Sequence, residues 1–187
     1  MSNNFLDKAR QWLESPDGEN LLTNEEYCPT RDIFQARLET LRVQFEQNNF
    51  QNSPLLIAII GEIGNNSFDH NLGNWRNTPG IYMDADTSAV IIADRGQGVK
   101  KTISRVRPDV ANDKEAIKIA FTEKISGRSP EQRGNGLKFV RGIVEKQKWK
   151  LHFLSGNGAA KTNDVGEFEF IENDENILGC VALISLN

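Results

Sequence analysis

From Thr30 onward, Phe34, Leu38, Leu41 and Phe45 recur every three or four positions. This spacing predicts a helix reaching about Gln47, with one buried face and Thr30 as its cap. The stretch "NNFQNSP" interrupts the pattern. Ser53 then caps and Pro54 opens a second helix, and Gly73 ends it after about five turns of ~3.6 residues. That helix changes character along its length: "SPLLIAII" is the most apolar run of the chain, whereas "EIGNNSFDH", Glu62 to His70, is mainly polar. Upstream, Phe5, Ala9, Trp12 and Leu13 lie on one side of a short amphipathic helix that precedes the turn-like "SPDGEN".

Period-two patterning takes over after "NTPG". "IYMDA" and "SAVIIAD", separated by "DTS", predict an antiparallel hairpin ending at Asp94. Residues 95–133 are glycine-punctuated and mostly polar, with one helix at about Lys114 to Thr122. "GLKFVRGIVEKQ" predicts a further helix, and "KWKLHFLS", "EFEFIE" and "GCVALISLN" predict three more strands. The order implies an α+β fold: a two-layer sandwich of a mostly antiparallel sheet with helices on one face.

The chain has 187 residues, 38% hydrophobic and 26% charged, which suits one globular core rather than disorder. A net charge of −4 without a basic arm gives no reason to expect a nucleic-acid partner. Cys28 and Cys180 lie far apart and show no paired spacing, so free thiols in a reducing compartment are expected. The N-terminus lacks a signal-peptide core, and "LLIAII" is too short to span a bilayer, which implies a cytoplasmic protein with no membrane partner.

Three segments are polar or glycine-rich where core is expected. Glu62, Asn66 and either Asp69 or His70 share one helix face. "GNNS" is made of poor helix formers whose advantage is short, directed donors and acceptors. In "ADRGQGV", Asp94 can accept hydrogen bonds from an amino group, and Gly96 and Gly98 permit close approach of a flat ligand. In "RGNGLKFV", glycines precede a helix and leave N–H groups at its positive end, a seat suited to phosphate. Taken singly, each has a plain structural reading as a solvated helix end, a turn or a loop-to-helix junction.

In this order, Glu-x-x-x-Asn on a helix, strand-D-x-G-x-G, a loop and G-x-G-L opening a helix together resemble the GHKL family of ATP-binding domains. This histidine-kinase-like ATPase group has the Bergerat fold. The resemblance covers residues 53–187 and leaves 1–52 as an N-terminal helical extension, open between a helical cap and a dimer or partner surface. It implies ATP and Mg²⁺ as ligands, with Asn66 on the metal and Glu62 activating a water or hydroxyl. Asp94 would take the adenine amino group over a floor shaped by Gly96 and Gly98. Gly134, Asn135, Gly136 and Leu137 would form the phosphate-cradling box; Asp69 and His70 fall where anti-sigma kinases often carry a histidine, and His70 is open between a place at the phosphates and a plain helix-end hydrogen bond.

Residues 99–133 hold nine Lys or Arg against five Asp or Glu, which suggests a basic mobile cover with Lys124, Arg128 and Arg133 as candidates for reaching phosphate. The layout is most similar to that of anti-sigma-factor-type serine kinases. The implied activity is phosphorylation of a small regulatory protein partner, or slow ATP hydrolysis. The alternative is a non-catalytic module whose ATP-ordered cover controls docking of a partner. A metal-dependent hydrolase built on Asp69, His70 and His152 fits poorly, because the two histidines and two cysteines show no zinc spacing.

Overall fold

The computed structural model describes residues 2–16, 18, 21–124 and 136–186. Five strands form one antiparallel sheet in the order β1-β2-β3-β5-β4. They are β1 (Tyr27–Cys28), β2 (Ile81–Ala85), β3 (Ala89–Asp94), β4 (Lys150–Thr162) and β5 (Phe168–Ser185). The helices are α1 (Ser2–Glu14), α2 (Arg31–Gln47), α3 (Ser53–Asn71), α4 (Val99–Ile103), α5 (Asp113–Thr122) and α6 (Gly136–Gln147). The protein is an α+β sandwich, as the patterning implies.

The main helical layer lies on one face, which we call the front. There Phe34, Leu38, Leu41 and Phe45 of α2, Leu56, Ile59, Ile60 and Ile63 of α3, Ile117 and Phe121 of α5, and Val140 and Val144 of α6 pack on alternate residues of β2 to β5. Thr30 caps α2 by accepting from the Ile33 amide, as its position predicts. The start of α3 differs by one residue: Asn52 is the N-cap, Ser53 begins the helix, and no side chain caps it.

The back face is covered by α1, an addition to the expected single helical layer. Ala9, Trp12 and Leu13 pack on Tyr82, Ile91, Ala93, Leu154, Val181 and Leu183, the residues that alternate with the front set. Segment 1–52 therefore contributes to both cores, through α1 on the back and β1 and α2 on the front.

Two expectations change. The segments "EFEFIE" and "GCVALISLN" are one strand, β5, rather than two: the polar "NDEN" between them bulges out of register between the Gly158–Glu172 and Gly156–Ile177 pairs, and the chain pairs with β4 on both sides of it. Residues 95–124 are not an open loop with a single helix, and residues 125–133 of the expected cover lie outside the described residues. The described part contains α4 as well as α5, held by a cluster of Ile103, Val110, Ala116 and Ile119 and by Ile117 and Phe121 in the front core. Burial of these side chains anchors the segment, since the Ile, Val and Phe among them each contribute about 1.5–3 kcal/mol. No helix among the described residues is long and apolar enough to cross a membrane.

Candidate functional site

The site begins with the packing of α3. Where its apolar half ends, Gly64 touches Phe34 of α2 so closely that any β-carbon would collide with the ring. Asn65 accepts from Gln35 Nε2 at 2.9 Å. Part of the polar run "GNNS" is therefore explained by the α2–α3 contact. Asn66 and His70 instead line a pocket between α3 and the sheet, while Ser67 and Asn71, one and two turns beyond Ile63, point at the end of β3.

That end is Asp94, only 2% exposed. Its carboxylate accepts from Ser67 Oγ at 2.8 Å, Asn71 Nδ2 at 3.2 Å and the Gly96 amide at 2.9 Å. Burial nevertheless pushes its carboxyl above the usual carboxylate range, although these donors and the Cys180 thiol pull it back. Asp94 is thus a buried carboxyl held by three donors on the wall of a pocket.

The turn after Asp94 is fixed from both sides. A β-carbon on Gly96 would overlap the Asn71 amide, so glycine is required there. Asn71 Oδ1 accepts from the Gln97 amide at 3.0 Å, and Gln97 Nε2 donates to the His70 carbonyl at 2.5 Å. Gly98 has φ of +79° and lines the pocket. The Val99 amide then donates to Ser155 Oγ at 3.0 Å, which itself donates to the Gly179 carbonyl at 2.8 Å. Ile63, Ile92, Ile103 and Phe153 supply the apolar walls, with Thr102 and Cys180 as further polar atoms.

The first residue of α6 closes the arrangement. A β-carbon on Gly136 would stand 2.6 Å from Glu62 Oε2 and 3.2 Å from Asn66 Nδ2. Glycine therefore lets the start of α6 approach the polar face of α3, and Leu137 reaches the same pocket. Glu62 is exposed and Asn66 half-buried, so solvent and ligand can reach both.

The remaining candidates divide. His70, Gly98 and Leu137 line the pocket, and Gly96 shapes it through Asn71. Asp69 is paired with Arg31 of α2 and does not line it. Lys124 is exposed just past the end of α5 and does not line it either. Arg128, Arg133, Gly134 and Asn135 lie outside the described residues. His152 faces the back of the sheet near Arg10, away from His70, so the Asp69, His70, His152 grouping does not form. Among the described residues no group of three or more His, Cys, Asp or Glu could hold a metal ion.

Sequence reasoning missed Ser67, Asn71, Ser155 and Cys180. The first two carried a signal, since they follow Ile63 at i+4 and i+8 on the face that meets the sheet. Ser155 and Cys180 carried none, because only the β3–β5–β4 pairing brings them to Asp94. No family model matches the chain, and no curated protein matches its sequence.

Proposed function

We propose that this pocket binds Mg-ATP and that the protein transfers the γ-phosphoryl group to a hydroxyl, either a side chain of a small regulatory protein in the cytoplasm or water. The carrying observation is convergence. Glu62 and Asn66, Asp94 and Gly136 are separated by up to 74 positions in sequence, yet Asn66 and Asp94 line one pocket, and Glu62 and Gly136 lie against each other next to Asn66.

The roles follow from the chemistry. Asp94, a carboxyl on the pocket wall, accepts from the exocyclic amino group of adenine, and the apolar walls hold the base. The amide oxygen of Asn66 is a hard ligand suited to Mg²⁺, which takes few protein ligands and keeps waters and phosphate oxygens. The bound ion would screen phosphate charge and orient the triphosphate. The start of α6, the positive end of that helix, comes up beside Glu62 and Asn66 because residue 136 is glycine, and phosphate would be seated there.

Glu62, exposed beside that helix start, takes the proton of the attacking hydroxyl. The new oxygen–phosphorus bond forms as the bond from the γ-phosphorus to the bridging oxygen breaks, and ADP leaves. A sensor that only binds ATP has no use for a base at Glu62, which favours chemistry over the docking-module alternative.

Calorimetric titration with ATP, with and without Mg²⁺, tests this reading. Binding that strengthens with Mg²⁺ in the wild type and loses that dependence in Asn66→Ala is expected. Absence of binding by the folded wild type overturns it.

A further inference from the structure

Asp94 and Arg95 are consecutive, and strand alternation sends one side chain to each face of the sheet. Arg95 is as deeply buried as its neighbour, at 1% exposure. Its guanidinium lies against the C-terminal end of α1. Nε donates to Asn77 Oδ1 at 3.0 Å, Nη1 to the Trp12 carbonyl and to Ser15 Oγ at 3.2 Å, and Nη2 to the Ser15 carbonyl at 2.5 Å. The same cation stands 5.6 Å from the centre of the Trp12 ring.

The Trp12 carbonyl is among those that a helix leaves without a backbone partner at its C-terminus, the negative end of its dipole, and the Ser15 carbonyl follows directly after the last helical residue. The last turn of α1 contains no basic residue of its own. Its cap comes from elsewhere in the chain: Arg95 for Trp12 and Ser15, Arg76 Nη2 for the Leu13 carbonyl at 2.5 Å, and Asn77 for Pro16. Of these, Arg95 alone belongs to the turn that shapes the pocket. Arg95 to Val99 is held at the front by Asn71, His70 and Ser155 and at the back by α1.

We propose that Arg95 is a positioning residue. By capping α1 on the back of the sheet, it holds the turn from Asp94 to Val99 in the shape that the front pocket needs, so that α1 docking and ligand binding stabilise each other. The proposal rests on the function above only for the identity of the ligand. Coupling follows from shared geometry, because the Gly96 amide that Asp94 accepts is one residue from the guanidinium anchored on α1. Linkage makes the effect reciprocal.

The test is hydrogen exchange at the Gly96, Gln97 and Val99 amides, in the full chain, for wild type, Arg95→Ala, Arg95→Lys and Arg76→Ala. Arg76→Ala is the control, since it removes a side-chain cap from the same helix end while keeping the backbone N–H that Arg76 donates to the Arg95 carbonyl at 3.0 Å. Losing charge-assisted bonds predicts exchange at the three amides about tenfold faster in Arg95→Ala relative to the β3–β5 ladder. Arg95→Lys, which keeps the charge but not the fork, should fall between, and Arg76→Ala should leave the three amides at wild-type rates.

Nucleotide affinity read on the same proteins should follow the same ranking. Equal acceleration in Arg76→Ala and Arg95→Ala, or wild-type rates in Arg95→Ala, overturns the proposal, because Arg95 is then only a structural cap. If Arg95→Ala does not fold, Arg95→Lys against Arg76→Ala decides by the same criterion. If the wild type binds no nucleotide while the three amides still accelerate in Arg95→Ala, the positioning role stands and the ATP reading fails.

Discussion

The front and back of the sheet each end in a buried charged side chain, and the two are treated differently. On the back, Arg95 meets the carbonyls of α1, so its charge completes a helix cap and the face is closed by Trp12 and Leu13. On the front, Asp94 is held by Ser67, Asn71 and the Gly96 amide, and it stands on the wall of a pocket the helices do not fill. Both charged groups have partners supplied by the fold, but only the front one borders open space that a ligand could enter.

The largest expected effect sharpens the functional side of this contrast. Glu62→Gln removes the proposed base while keeping shape, and should lower phosphoryl transfer by about 10²–10⁴-fold with ATP affinity little changed. Single-turnover phosphate release and partner phosphorylation read the first quantity, calorimetry the second. Wild-type turnover in this variant would remove Glu62 from catalysis and return the docking-module reading.

The next breaks the back face. Trp12 is fully buried between Tyr27, Tyr82 and the Arg95 guanidinium. Trp12→Ala should cost about 3–5 kcal/mol of stability by transfer and cavity effects, read as a lower urea midpoint. A loss below about 1 kcal/mol, the range of ordinary surface changes, would mean that α1 is only loosely seated.

Asp94→Asn should separate the two roles within one residue. In the free protein an amide can keep the bonds from Asn71 and Gly96 and donate to Ser67, while the buried charge disappears, so stability should hold or rise. ATP affinity should fall about tenfold to a hundredfold, the cost of one charge-assisted hydrogen bond. A parallel loss of stability and affinity would make Asp94 a structural residue like Arg95.

How much of this was legible depended on range. The helix over Arg31–Gln47, the β2–β3 hairpin and the change of character along α3 are local patterns of period 3.6 or 2, and the structure has them. Gly64 was visible as a poor helix former, but the Phe34 ring that requires it was not. The segment over 95–124 looked like an open polar stretch because Ile103, Val110, Ala116 and Ile119 are too scattered to show a period, and they cluster only once α4 folds back on α5. Arg95 appeared as the unspecified position in D-x-G-x-G. Its role depends on α1, some 80 residues away, and no local pattern encodes such a contact.

The smallest effect sets the two faces against each other in pH. His152, half-buried on the back of β4, is held below its usual value of 6.5 by burial and by the cations Arg10 and Lys161, which are themselves paired with Glu175 and Glu169. The folded state then binds fewer protons than the unfolded chain just below pH 6.5, so stability falls as pH drops through that range. Asp94 has the opposite sign. Its folded value lies above 3.8, so as pH falls through that raised value the folded state takes up a proton first and gains stability. His152 remains partly solvated, so screening limits its contribution to on the order of 1 kcal/mol or less. Urea midpoints measured from pH 7.5 down to pH 4 should show a shallow decline beginning near 6.5 that His152→Gln abolishes. Asp94→Asn should keep that decline and lose the opposing gain at lower pH. An unchanged profile in His152→Gln would show that the back face titrates through some other group.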